Sequence, residues 1–164
     1  MSQSEDVDIA KKAALRFVSY RPRSESEVRS RLLKSFTVPV VEAVISELVR
    51  LSVIDDVQFA KLWCSSRESL NPKSAKAIKQ ELISKGISES TAISAVRELD
   101  DFDTAMRVSR KYLKRLTGSS YNQFTRRLYG YLQRRGFSSS LILEISSILW
   151  AEVDSAKTEF SEWN

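Results

Sequence analysis

Apolar positions recur along this chain at helical spacing, and the same helical pattern returns every 50 residues. Val28, Ile78 and Leu128 stand 50 apart, as do Leu32, Leu82 and Leu132, and Pro22-Arg23-Ser24 reappears as Pro72-Lys73-Ser74. Each unit continues alike, through Phe36-Thr37, Ile87-Ser88 and Phe137-Ser138, into a further apolar stretch. A period in this range marks tandem supersecondary units, each too small to bury its apolar face securely alone. The pattern predicts helices over residues 7–20, 24–35 and 38–51, then 55–69, 72–85 and 88–98, then 101–116, 120–135 and 138 to about 155. These form three three-helix repeats, 1–52, 53–99 and 100–164, the last carrying an acidic C-terminal tail. No segment alternates apolar and polar residues long enough for a strand, so the expected fold class is all-α.

Local start and stop signals support this division. Ser24 with Glu27 three residues on forms a capping box, Asn71 before Pro72 reads as an N-cap, and Thr37, Ser88 and Ser138 cap each third helix. Lys85-Gly86 and Arg135-Gly136 place a cation in the last turn and glycine where a left-handed residue ends the helix. The first repeat has Lys34-Ser35-Phe36 instead, so its turn must be built differently.

Composition narrows the chemistry. With no histidine, the commonest general base near neutral pH and the commonest metal ligand are both missing. The one cysteine, Cys64, excludes a thiolate zinc site and reads as a small buried apolar residue. The four glycines make no phosphate-cradling loop. The acid pairs Asp55-Asp56 and Asp100-Asp101 sit where helices begin and read as partners of the helix dipole. No catalytic, metal or cofactor-binding residue is therefore expected, and an enzyme is not expected. No run of 18 apolar residues suggests a membrane span, and the acidic N-terminal segment Met1 to Asp8 is unlike a signal peptide, so a cytoplasmic protein is expected.

Charge distribution is the remaining signal. Between Asp101 and Gly136 there are nine cations, Arg107, Arg110, Lys111, Lys114, Arg115, Arg126, Arg127, Arg134 and Arg135, against two acids. That local excess of seven exceeds the whole-chain net charge of +5. On a helical wheel Arg107 to Arg115 occupy one arc, opposite Ala105, Val108, Tyr112 and Leu116, so the basic face points outward. A thinner stripe runs through Lys73, Lys76 and Lys79, with Lys85 at the helix end; both suit an acidic groove or a phosphate backbone. The first-repeat cations Arg21, Arg23, Arg29, Arg31 and Lys34 are diluted by Glu25, Glu27, Glu42 and Glu47 and read as a solubilising surface. Tyr121, Tyr129 and Tyr131 interleave with arginines, but only Tyr129 lies off the core stripe. Trp63 and Trp150 read as packing residues, and Trp163 as part of a loose tail. Residues 78–99 resemble a helix-turn-helix, but the second helix carries Glu89 and Glu98 with only Arg97 as a cation, which phosphates would repel.

The residues also resemble a known family. Ala14-Leu15-Arg16-Phe17, followed by Arg21-Pro22-Arg23-Ser24-Glu25-Ser26-Glu27-Val28 and Arg31-Leu32, is similar to the opening motif of RecX regulatory proteins. Ile54-Asp55-Asp56, Phe59-Ala60, Ser66-Arg67, Ile78, Glu81-Leu82 and Lys85-Gly86-Ile87 resemble that family's central signature. Ala105, Arg126-Arg127-Leu128, Tyr131-Leu132 and Arg135-Gly136-Phe137 extend the resemblance to about residue 150. It implies three tandem three-helix repeats in an elongated, curved rod that lodges in the groove of the RecA filament on DNA. It further implies a non-enzymatic, monomeric inhibitor of RecA ATP hydrolysis and strand exchange. The alternatives are a helical protein that binds DNA directly and competes with RecA for it, and an interaction scaffold for another acidic partner.

Overall fold

A computed structural model of the chain describes the backbone of residues 3–161 and the side chains of residues 4–156. Within that range the chain folds into α1 (Gln3–Ser19), α2 (Glu25–Leu32), α3 (Val38–Arg50), α4 (Asp56–Leu70), α5 (Ala75–Ser84), α6 (Glu89–Val96), α7 (Asp101–Tyr112), α8 (Tyr121–Gln133) and α9 (Ser139–Ser161). A 3₁₀ turn, Leu113–Arg115, follows α7, and no strand occurs among the described residues. Each predicted helix is present; α1 begins at Gln3 rather than residue 7, and α9 runs on to Ser161. Trp163, Lys157, Glu159 and Glu162 lie outside the described side chains. No helix among the described residues is long and apolar enough to cross a membrane.

The apolar stripes close two cores. In the first repeat Ala10 and Ala14 of α1, Val28 and Leu32 of α2, and Val41, Val44 and Leu48 of α3 join one buried cluster with Ile54. The two alanines, one helical turn apart, remove bulk from the inward face of α1 and admit the larger α3 side chains. Each Val or Leu buried this way stabilises by roughly 1.5–3 kcal/mol. In the third repeat Ala105 and Val108 of α7, Phe124, Leu128 and Leu132 of α8, and Ile142, Ile145 and Leu149 of α9 repeat the plan. In the second, Phe59, Ala60, Ile78, Leu82 and Ala92 are buried, as is Cys64, whose thiol lies 3.5 Å from the Ala95 carbonyl.

The chain divides into two compact units, Met1–Ser65 with Lys79–Ala95, and Ser66–Ile78 with Val96–Asn164. Each unit contains one junction between successive repeats. In the first, the buried Ser24 hydroxyl accepts from the Glu27 N–H at 3.1 Å and donates to the Lys85 carbonyl at 2.6 Å. The Glu27 carboxylate accepts from the Ser24 N–H at 3.1 Å, completing the capping box. Asp55 caps its own helix, accepting from the Gln58 N–H at 2.9 Å, whereas Asp56 reaches back to accept from the Glu25 N–H of α2 at 2.8 Å. Burial raises the Asp56 carboxyl above its ordinary value, and the nearby charges of Glu25 and Asp55 add to that, against the pull of the Glu25 N–H and Arg29.

The second unit repeats this arrangement. The Ser74 N–H donates to the Arg135 carbonyl at 2.9 Å, its hydroxyl accepts from the Ala77 N–H at 3.1 Å, and Asp101 accepts from the Ala75 N–H at 2.7 Å while Asp100 caps α7. So the first acid of each pair satisfies its own helix, as expected, and the second satisfies the middle helix of the preceding repeat. The N–H groups satisfied in this way lie at helix starts and would otherwise lack an intrahelical partner.

Gly86 and Gly136 are left-handed, with φ of +82° and +85°. The Ile87 N–H reaches the Leu82 carbonyl at 3.1 Å and the Gly86 N–H the Ile83 carbonyl at 2.9 Å, the paired bonds of a Schellman turn. The glycines also leave room for the repeat before: a Cβ on Gly86 would lie 2.2 Å from Ser26 Cβ, and one on Gly136 would lie 2.7 Å from Ala77 Cβ and Ser74 Oγ. The first repeat's turn uses a different route, both the Ser35 and Phe36 N–H groups converging on the Leu32 carbonyl at 3.0 Å without a left-handed residue.

Two sequence expectations need correcting. Helix α5 starts at Ala75 and its cap is Ser74, not Asn71, because docking onto Arg135 and Asp101 sets the helix start three residues later. Thr37 occupies the N-cap of α3, but its side chain makes no capping bond. Pro39, at the second helical position, has no N–H to offer it.

Candidate anion-binding interface

The basic segment of the third repeat is built on α7, the 3₁₀ turn and α8. Ala105 and Val108 turn the inner face of α7 into the core, which leaves Arg110 and Lys111 exposed. The α-helix ends at Tyr112, so Lys114 and Arg115 belong to the tighter 3₁₀ turn rather than to one continuous helical arc. Ser120 and Gln123 form a capping box at the start of α8, and burial of Phe124, Leu128 and Leu132 points Arg126, Arg127 and Arg134 outward.

Two contacts hold these elements together. Tyr112 and Tyr131 stack with ring centroids 4.0 Å apart and planes 6° from parallel. The Arg127 guanidinium donates to the Arg115 carbonyl at 3.5 Å, which places the α8 arginines beside the turn.

The nine third-repeat cations do not play one role. Arg135 is half-buried, its guanidinium 3.9 Å from the centroid of the Tyr131 ring and donating to the Tyr131 carbonyl at 3.3 Å, with Nε buried and unbonded. It is a packing residue at the repeat junction. Arg110 is held by Glu152 of α9 through two bonds of 3.0 Å, a bidentate pair at an exposed site. Arg107 is half-buried and donates to the Glu68 carbonyl at 3.4 Å. Lys111, Lys114, Arg115, Arg126 and Arg134 are exposed, and their side chains make no ion pair or hydrogen bond among the described residues. These five form the available positive surface of the repeat.

The middle-repeat lysines are more dispersed. Lys76 is exposed and unpaired among the described residues, Lys79 lies 3.8 Å from the Glu89 carboxylate, and Lys73, in the loop before α5, is already engaged. Tyr129, off the core stripe, is half-buried and shares a hydrogen bond of 2.7 Å with the Ser139 hydroxyl, so it is not a free stacking ring. Tyr121, at 47% exposure, lies edge-on to Trp150. Trp63 stacks on Phe59 and donates to Glu81 at 2.9 Å, a packing role as expected. Sequence reading did not identify Glu152 as the partner of Arg110, 42 residues away. The reversal of charge after Gly136 was the only hint of it.

Sequence models of the first, second and third three-helix domains of RecX match residues 10–48, 55–96 and 98–145. The chain is 34% identical over 141 residues to a protein named regulatory protein RecX from Mycobacterium avium (strain 104), covering 83% of this chain and 82% of that one. It is 33% identical over 147 residues to the protein of the same name from Mycolicibacterium smegmatis, covering 85% and 78%. The crystal structure of RecX from Lactobacillus salivarius is similar with a TM-score of 0.79 at 25% identity, over 89% of this chain and 97% of that one.

Proposed function

The chain belongs to the RecX family of regulatory proteins, and from that membership we propose that it binds the RecA filament on DNA and inhibits RecA ATP hydrolysis and strand exchange. It acts by binding, without chemistry of its own. The observation that carries this reading is the set of exposed cations Lys111, Lys114, Arg115, Arg126 and Arg134, which have no partner among the described residues. Unpaired cations on a packed scaffold attract an acidic protein surface or a phosphate backbone at little cost in reorganisation. The seating of Ser24 on Lys85 joins the first repeat to the second, and that of Ser74 on Arg135 the second to the third, so weak contacts made by successive repeats would add. Bridging neighbouring filament subunits would then favour one state of the filament over the states that ATP turnover visits.

The test is DNA-dependent ATP hydrolysis by the cognate RecA, with the wild-type chain and a Lys111→Glu/Lys114→Glu/Arg126→Glu variant. Three rim charges at about 0.5 kcal/mol each predict at least a tenfold rise in the concentration needed for half-inhibition. Unchanged inhibition by the folded variant would remove this surface from the reading. A second reading, direct competition for DNA, rests on the same cations. It predicts that the variant loses affinity for naked DNA in parallel with its loss of inhibition.

A further inference from the structure

The acids of the first repeat are committed to some of its cations and leave others unmatched. Arg29 lies 2.9 Å from Glu25 and donates to both Glu42 oxygens, at 2.9 and 3.1 Å. Arg21 pairs with Glu27 at 2.7 Å; Arg23, 3.8 Å from the same carboxylate, lies over the Phe17 ring at 3.9 Å. Burial alone would raise the Glu27 carboxyl. Hydrogen bonds from Arg21 and the Ser24 N–H, with the charges of Arg21 and Lys85, outweigh burial and hold it below its ordinary value. Glu27 is thus a saturated anion with several cations to serve.

Arg31 and Lys34, three residues apart on α2 and the turn after it, are exposed and make no side-chain ion pair or hydrogen bond among the described residues. They line a trough of about 430 Å³ with Phe17, Ser26, Glu27, Ser30, Ser84 and Lys85. The hydroxyls of Ser26 and Ser30 make no hydrogen bond among the described residues, and the Lys85 ammonium lies 4.0 Å from Glu27. We propose that this trough is a second anion-binding site, one that takes the phosphodiester backbone of a nucleic-acid strand. Arg31, Lys34 and Lys85 neutralise the phosphates, and Ser26 and Ser30 donate to their non-bridging oxygens. This site shares no residue with the third-repeat surface and does not depend on RecA.

Lining chemistry selects phosphate over an acidic peptide. Peptide recognition uses pockets that accept apolar side chains beside the charged ones. Here the aromatic group in the trough, Phe17, is already covered by Arg23, and the rest of the wall is hydroxyl and cation apart from the Glu27 carboxylate, which Arg21 and the Ser24 N–H already occupy. Such a surface tracks a backbone without reading sequence.

The experiment is fluorescence anisotropy of a labelled oligothymidine with the full chain over a range of salt concentrations. Arg31→Gln/Lys34→Gln is compared with Lys12→Gln/Arg50→Gln, which removes the same charge from exposed positions outside the trough. Loss of two phosphate contacts predicts a fall of about 1.4 in the slope of log affinity against log salt, and about tenfold weaker binding near 0.15 M salt. Ser30→Glu, at an exposed position, is expected to weaken binding in the same direction without removing a cation. An unchanged slope, an equal loss in the control pair, or displacement of the oligonucleotide by polyglutamate as readily as by unlabelled strand would each overturn the proposal. The last result would assign the trough to an acidic polypeptide.

Discussion

Replacing Gly86 by alanine tests whether the repeat junction, and not merely a local turn, constrains this position. Two costs combine. An L-residue at φ +82° pays the left-handed penalty of about 1–2 kcal/mol. In addition, the new Cβ would sit 2.2 Å from Ser26 Cβ and 2.4 Å from its Oγ, where carbon atoms in contact prefer roughly 3.5–4.0 Å. Relieving such an overlap in packed structure adds about 1–3 kcal/mol. Gly118→Ala isolates the first cost, because Gly118 has φ +78° with nothing within 4 Å of the added Cβ. Ser26→Gly isolates the second, since it removes both clashing atoms and leaves Ser26 Cα at 3.7 Å, an ordinary contact. By itself Ser26→Gly weakens α2 by about 0.5–1 kcal/mol. Urea denaturation of the single and double variants, followed by helical circular dichroism, is expected to show Gly86→Ala losing about 2–5 kcal/mol. The double variant should recover about 1–3 kcal/mol of that relative to additivity. If Gly86→Ala is no worse than Gly118→Ala, or the coupling stays below about 0.5 kcal/mol, the junction does not impose the glycine.

The raised carboxyl of Asp56 gives a pH-dependent prediction. A folded pKa above the unfolded one means that its contribution to stability is present below the ordinary aspartate range and is lost as pH rises through the folded value. Asp56→Asn, which keeps an acceptor for the Glu25 N–H, is therefore expected to match or slightly exceed wild-type stability at pH 7, the gap narrowing in acid. Asp56→Ala should instead lose about 1 kcal/mol, as a vacated helix cap does. Denaturation midpoints for both variants across this range provide the check, and an Asp56→Asn variant as unstable as the alanine variant would refute the reading. Glu152→Gln removes the counter-charge of Arg110 and is expected to raise affinity for an anionic polymer several-fold at low salt, at a stability cost under about 1 kcal/mol. Salt-titrated anisotropy measures this, and equal affinity of variant and wild type would show that Glu152 does not restrain the basic face.

What the sequence determined by itself was whatever depends on near neighbours. The 50-residue period set three three-helix units because helical spacing of Val28, Leu32 and their counterparts defines an inward face wherever it occurs. The Ser24–Glu27 capping box and the left-handed Gly86 and Gly136 were legible for the same reason: donor and acceptor lie within a few residues. The tertiary structure decided what depends on partners remote in the chain. Asn71 satisfied a local rule for helix starts, yet contacts from Arg135 and Asp101 placed the start at Ser74. Asp56 and Asp101 looked like duplicates of Asp55 and Asp100, but each spans 26 or more residues to cap a helix of the previous repeat. Composition also counted cations without saying which were free. Glu152 occupies Arg110, Tyr131 covers Arg135, and Glu25, Glu27 and Glu42 gather around Arg21, Arg23 and Arg29, leaving Arg31 and Lys34 unmatched among the described residues. Net charge is a sum over residues, but an available charge is one whose neighbours in space have left it unpaired, and only the fold chooses those neighbours.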